Sequence, residues 1–111
     1  SGDEPARGAR VDVYVAAPGV DAVLAGLALA QTLRENSVTA LAETEGRSMK
    51  AQMRNANKAG ASLVLIRGES ELQKGTVVCK IMSTSEQDEV PVDKIPEWVA
   101  NHLTEQKDYA L

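Results

Sequence analysis

The chain has 111 residues, 43% hydrophobic and 25% charged, which is the balance of one globular domain and not of a disordered segment. With no Phe, one Trp and two Tyr it lacks the aromatic platforms of RNA-recognition motifs and OB-type single-strand binders. One cysteine and one histidine leave no internal disulfide and no Cys/His metal cluster, and a net charge of −4 argues against a basic coat for nucleic acid.

Ser1 to Arg10 is rich in Gly, Pro and charge without periodicity, and reads as a flexible linker or tag remnant. The chain opens on Ser1-Gly2 and not on Met, the expected mark of an excised piece. From Val11, alternating valines predict a first strand that ends in the turn Ala17-Pro18-Gly19. Val20 to Asn36 then carries Val23, Leu24, Leu27, Ala30 and Leu33 at helical spacing. This helix is apolar over more than half its circumference. Either it is sandwiched, or part of its surface meets a neighbour.

Val38 to Ala42 predicts a second strand, and Arg47 to Ala59 a second helix with Gly60 as its stop. From Arg47 to Arg67 there are five cations (Arg47, Lys50, Arg54, Lys58, Arg67) and no acid, so the rest of the chain carries nine net negative charges. At about 100° per residue, Arg47, Lys50, Arg54 and Lys58 form one stripe opposite Met49, Met53 and Ala56. One face packs and the other is cationic. On an acidic domain that stripe reads as a local phosphate footprint, against the plainer alternative of a solvated helix face.

Leu63-Val64-Leu65-Ile66 is the uninterrupted apolar run of a strand covered on both faces. Glu69 to Lys74 suggests a helical turn closed by Gly75, before strands over Thr76 to Met82 and Gln87 to Val92 joined by a hairpin turn. A last helix is expected from Pro96 to Leu103, followed by a tail over 104–111. The predicted fold is α/β: three layers around a mixed five-stranded sheet, in the order β-α-β-α-β-β-β-α. Right-handed crossovers make the first three strands parallel, and the late hairpin adds the antiparallel part. The domain then spans 11–103.

Little in the chain supports catalysis. The turn after the first strand lacks the glycines of GxGxxG or a Walker loop. Cys79 lacks a nearby base and reads as a buried strand residue, with His102 on the last helix. The acids fall as Glu43/Glu45, Glu69/Glu71 and Glu86/Asp88/Glu89 in loops and turns, where solvated charge is the expectation. Glu69 and Glu71 also have the chemistry to accept from base amino groups. No run approaches the roughly 20 apolar residues of a membrane helix, and an intracellular, reducing compartment fits the cysteine usage.

The stretch Gly46 to Lys80, GRSMKAQMRNANKAGASLVLIRGESELQKGTVVCK, resembles the C-terminal anticodon-binding domain of class IIa aminoacyl-tRNA synthetases, most of all the histidyl enzymes. The marks are Gly46-Arg47-Ser48-Met49-Lys50 with Gln52, then Ala59-Gly60-Ala61, Gly68-Glu69-Ser70-Glu71-Leu72, Gly75-Thr76-Val77, Lys80 and Glu86-Gln87. Where that family often has an aromatic in the second helix, this chain has Asn55. The resemblance implies ATP-dependent esterification of histidine to its tRNA by a cytoplasmic homodimer. ATP and magnesium would be handled by a separate catalytic domain, and this fragment would need no cofactor. Its own task would be to hold the anticodon stem-loop. Arg47, Lys50 and Arg54 would then neutralise phosphates, while Gln52, Asn55, Glu71, Gln73 and Lys80 are the candidates for reading bases. The rival reading is the same fold serving as a regulatory or dimerisation module of a synthetase-like protein.

Overall fold

The computed structural model describes residues 11–110, with side chains through position 104, so the expected linker over 1–10 lies outside the described residues. In chain order the elements are β1 (Val13–Ala16), α1 (Val20–Glu35), β2 (Ala40–Ala42), α2 (Met49–Lys58), β3 (Leu63–Ile66), α3 (Glu69–Lys74), β4 (Thr76–Ile81), β5 (Gln87–Pro91) and α4 (Ile95–Ala110). The sheet order is β2-β1-β3-β4-β5, with β1, β2 and β3 parallel and β4 and β5 antiparallel to their neighbours. This is the mixed five-stranded sheet expected from the sequence.

Strand alternation sends side chains to two cores. Val13, Val15, Leu63, Leu65, Val77 and Cys79 meet Leu29 and Leu33 of α1 and Ile95 and Val99 of α4 on one side. Tyr14, Ala16 and Val64 meet Met49, Met53 and Ala56 of α2 on the other. Covered on both faces, β3 has no polar position to offer, which accounts for its unbroken Leu-Val-Leu-Ile. On α1 the inner row Ala22, Gly26, Leu29, Ala30 and Leu33 is buried, whereas Val20 and Leu24 are 77% and 76% exposed. The helix is therefore packed on one side only.

Several boundaries differ from expectation: α2 begins at Met49, so Arg47 precedes the helix, and two further shifts have local reasons. β2 starts at Ala40 and not Val38, because the Val38 amide donates to the Leu33 carbonyl and belongs to the end of α1. Thr39 next to it is tied to Asp12, its amide donating to Oδ2 at 3.1 Å. At the other end α4 continues through Ala110, past the position where the sequence suggests a tail. Among the described residues no helix is long and apolar enough to cross a membrane.

Candidate nucleic-acid interface

The Ser48 hydroxyl accepts from the Ala51 amide at 3.2 Å and sets where α2 begins. At the other end Gly60 has φ +70°, a left-handed conformation that costs glycine little and lets the chain turn into β3. Between these stops the phase of the helix is fixed by what it buries. Met49, Gln52, Met53 and Ala56 face the sheet, and Lys50, Arg54 and Lys58 face solvent. Three of the four cations of the expected stripe therefore face outward, and Arg47 lies ahead of the helix. Among the described residues no acid lies within ion-pair distance of Lys50, Arg54 or Lys58.

Gln52 is not on that surface. It is fully buried, with Oε1 accepting from the Ala17 amide at 2.8 Å and Nε2 donating to the carbonyls of Ala17 (3.0 Å) and Arg47 (2.6 Å). Its amide pins the turn after β1 to the start of α2. Fully buried, with both amide hydrogens engaged, Gln52 has no access to a base, and it holds the Arg47 main chain in place.

Arg47 also differs from the free phosphate cation expected of it. Its Nε lies 3.2–3.3 Å from both oxygens of Glu43 and its Nη2 lies 3.1 Å from Oε1. Glu43, expected to be a solvated loop charge, is 1% exposed. The Tyr14 hydroxyl donates to Oε1 at 2.9 Å, and the Glu45 and Arg47 amides donate to Oε2 at 2.8 and 3.3 Å. Burial alone would raise the Glu43 pKa. The Arg47 side chain, the two amides and the Tyr14 hydroxyl outweigh it and hold the carboxyl at about 2. Burial, with Glu43 beside it, pushes the Tyr14 hydroxyl upward, and Asn55, donating toward the same oxygen, pulls the other way.

Asn55 lines an open cleft of about 430 Å³ between α2 and β2, together with Tyr14, Leu41, Arg47 and Lys58. Lys80 lies elsewhere on the same side of the sheet. It pairs with Val64, whose side chain sits under α2, so Lys80 emerges on the α2 face beside the uncovered surface of β4 and β5. Glu71 and Gln73 are on α3, which follows the end of β3 and leads into Thr76. That end lies roughly 13 Å along β4 from Lys80, at about 3.3 Å per residue. Glu71 Oε1 accepts from the Gly68 amide at 2.8 Å and so caps α3, whereas Gln73 is exposed. The eight candidates thus form no single cluster. Arg47, Lys50, Arg54, Asn55 and Lys80 share the α2 face, Glu71 and Gln73 stand apart, and Gln52 is interior.

Tyr14, Glu43 and Lys58 join this face without having been singled out as contacts. Lys58 was visible in the cationic stripe, but nothing in Ala42-Glu43-Thr44-Glu45 distinguishes the buried acid from the exposed one. Cys79 is buried in β4, where the apolar surroundings push its thiol up to about 12 and leave it inert. His102 stacks on Trp98 with ring centroids 3.7 Å apart, and its Nδ1 donates to the Trp98 carbonyl. Among the described residues no group of His, Cys, Asp and Glu could hold a metal ion.

The family model described as the anticodon binding domain matches residues 12–102. A histidine–tRNA ligase of Rhodococcus erythropolis is 37% identical over 94 residues, covering 85% of this chain and 22% of the relative. The structure of apo histidyl-tRNA synthetase from S. aureus superposes with a TM-score of 0.76 at 27% identity, covering 81% of this chain and 23% of that one. The histidyl-tRNA synthetase of Nostoc superposes with a TM-score of 0.80 over 86% of this chain and 23% of that one, and at 23% identity this likeness supports the fold alone. The chain spans about a fifth of the length of the curated relatives it matches.

Proposed function

We propose that this chain, which belongs to the anticodon-binding domain family, grips the anticodon stem-loop of a histidine tRNA as the appended domain of a histidine–tRNA ligase. The observation that carries the reading is the outer face of α2. There, among the described residues, Lys50, Arg54 and Lys58 stand without acidic partners, on a chain of net charge −4. Phosphates held there would set the register of the loop but carry no sequence information, which falls to neighbouring polar groups. Asn55 and Lys80 are the nearest of these on the same face, and Arg47 joins them as a donor whose charge Glu43 already balances. Gln73 and Glu71 would touch RNA only if the stem-loop extends to α3. In the parent enzyme ATP, magnesium and histidine would bind a separate catalytic domain, in a cytoplasmic homodimer. This domain would contribute by holding the tRNA so that its distant acceptor end reaches that site.

Titrating an anticodon stem-loop across salt concentrations tests the footprint. Three phosphates neutralised by Lys50, Arg54 and Lys58 give a log–log slope of about −2, from about −0.7 per phosphate for single strands. Arg54→Glu weakens binding and flattens that slope, while its melting stays within about 0.5 kcal/mol of the parent chain, as an exposed position should. A slope near zero removes this face as the footprint. For the tRNA-positioning role, deletion of the domain from the folded parent enzyme should cut tRNA charging at least about tenfold more than ATP–pyrophosphate exchange, a loss of about 1.4 kcal/mol in transition-state positioning. Equal proportional losses in the two reactions would favour a regulatory or dimerisation module instead.

A further inference from the structure

The geometry points to a nucleobase pocket in the cleft between α2 and β2, in which buried Glu43 is the positioning residue that turns Arg47 from a mobile phosphate cation into a fixed donor for a splayed base. The inference rests on the proposed RNA-binding reading and adds a subsite and its ligand class.

Four observations meet here. The cleft, about 430 Å³, falls in the range of about 300–1,000 Å³ typical of small-ligand sites, too large for a phosphate alone. Its wall is mixed: the Tyr14 ring, Leu41 and Ala42 offer apolar contact, and Asn55, Arg47 and Lys58 offer hydrogen bonds. A phosphate site needs no apolar wall. A base has an apolar face and a polar edge, and single-stranded RNA bases are read on such surfaces. Leu41, 44% exposed at the rim, is one of three large apolar side chains left open to solvent among the described residues, and a base stacked in the cleft would cover it.

The state of Arg47 separates a base from a phosphate. Its Nε and one Nη2 position are engaged by Glu43, so the guanidinium plane is fixed and its charge is already balanced. What remains is Nη1 and the outer Nη2 hydrogen. A balanced, oriented guanidinium adds little counterion release but presents directional donors, the requirement for a base-edge acceptor. Glu43 is in turn held by Tyr14 and two backbone amides, so the aim of Arg47 is set by the fold.

The test compares two RNA probes on this 111-residue chain: an anticodon stem-loop, and the same stem-loop with its anticodon nucleotides made abasic. The intact loop should bind about tenfold or more tighter, the discrimination expected of one well-made base contact. Glu43→Gln should lose most of that preference without losing affinity for the abasic loop, and its salt slope should stay the same or steepen, because no phosphate contact is removed and Arg47 is left as an unbalanced cation. Because Glu43→Gln also lowers stability, Tyr14→Phe, which removes only the hydroxyl that braces Glu43, and Asn55→Ala, which alters the wall, serve as parallel variants; each should reduce the preference in part. If Glu43→Gln or Arg47→Gln weakens both probes equally and flattens the salt slope, Arg47 is a phosphate contact and the base pocket is wrong. If all variants keep the full preference, the base is read elsewhere and the inference also fails. If the parent chain binds neither probe, the RNA-binding reading itself falls, and the inference with it.

Discussion

Replacing Gln52 with leucine lowers the stability of the domain by about 3 kcal/mol, although leucine is the more hydrophobic residue and the site is fully buried. The loss comes from three backbone groups. The Ala17 amide, the Ala17 carbonyl and the Arg47 carbonyl all use the Gln52 amide as partner. Each group left unsatisfied in the interior costs about 1–3 kcal/mol, and partial relaxation of the turn keeps the total below the sum. For a domain of this size the melting temperature should fall by about 10–20 °C. Gln52→Glu should be worse than leucine despite its shape. It keeps the acceptor for the Ala17 amide but sets a second carboxylate oxygen against two carbonyl oxygens, and it buries a charge. Thermal melts of the two variants, with Arg54→Glu as the exposed reference, decide the matter. A Gln52→Leu melt within a degree or two of the parent would mean that the amide does not hold the turn to the helix.

Gln52 also marks where sequence reasoning about the site stops. The parts of the fold carried by periodicity were legible: the unbroken run of β3, the amphipathic phase of α2 and the two-faced packing of β1 each follow from residues a few positions apart. A helical wheel even placed Arg54 and Met53 on the correct sides. It could not place Gln52, because glutamine on the packed side of a helix looks like a polar residue near a boundary until the partner 35 residues away is known. The same holds for Glu43. Its burial depends on Tyr14, 29 residues earlier on a neighbouring strand, and on Arg47, one helical turn later in number but not in a helix. Buried polar networks are assembled by tertiary proximity, so composition and spacing misread their members as surface charge. Spacing alone therefore leaves Gln52 on the surface and Arg47 without a carboxylate, where the structure has the first buried and the second paired with Glu43.

Acid should expose the second of these networks. The Glu43 carboxyl sits at about 2 in the folded chain against 4.5 for its ordinary value, a depressed pKa. A group of this kind stabilises the fold fully above the unfolded value, and the contribution is lost as pH falls through about 4.5 toward about 2. At about 1.4 kcal/mol per pH unit the difference sets an upper bound of about 3 kcal/mol, which solvent around the half-exposed Arg47 reduces. Glu89, depressed by Lys74 and Thr76 on the open surface, adds an acid-sensitive contact that solvent screens. Denaturant unfolding at a series of pH values between 7 and 2 measures the whole, and Glu43→Gln separates the parts. The variant starts less stable at neutral pH, because Arg47 loses its counter-charge, but its stability should decline more gently below pH 4.5 by the Glu43 share. Parallel pH curves for the parent and the variant would show that the carboxylate is not held by the contacts named here. If the curves converge toward pH 2, the tie between Glu43, Tyr14 and Arg47 is an energetic feature of the domain as well as a geometric one. The Arg47 guanidinium then owes its fixed aim to a carboxylate that remains ionised throughout the physiological range.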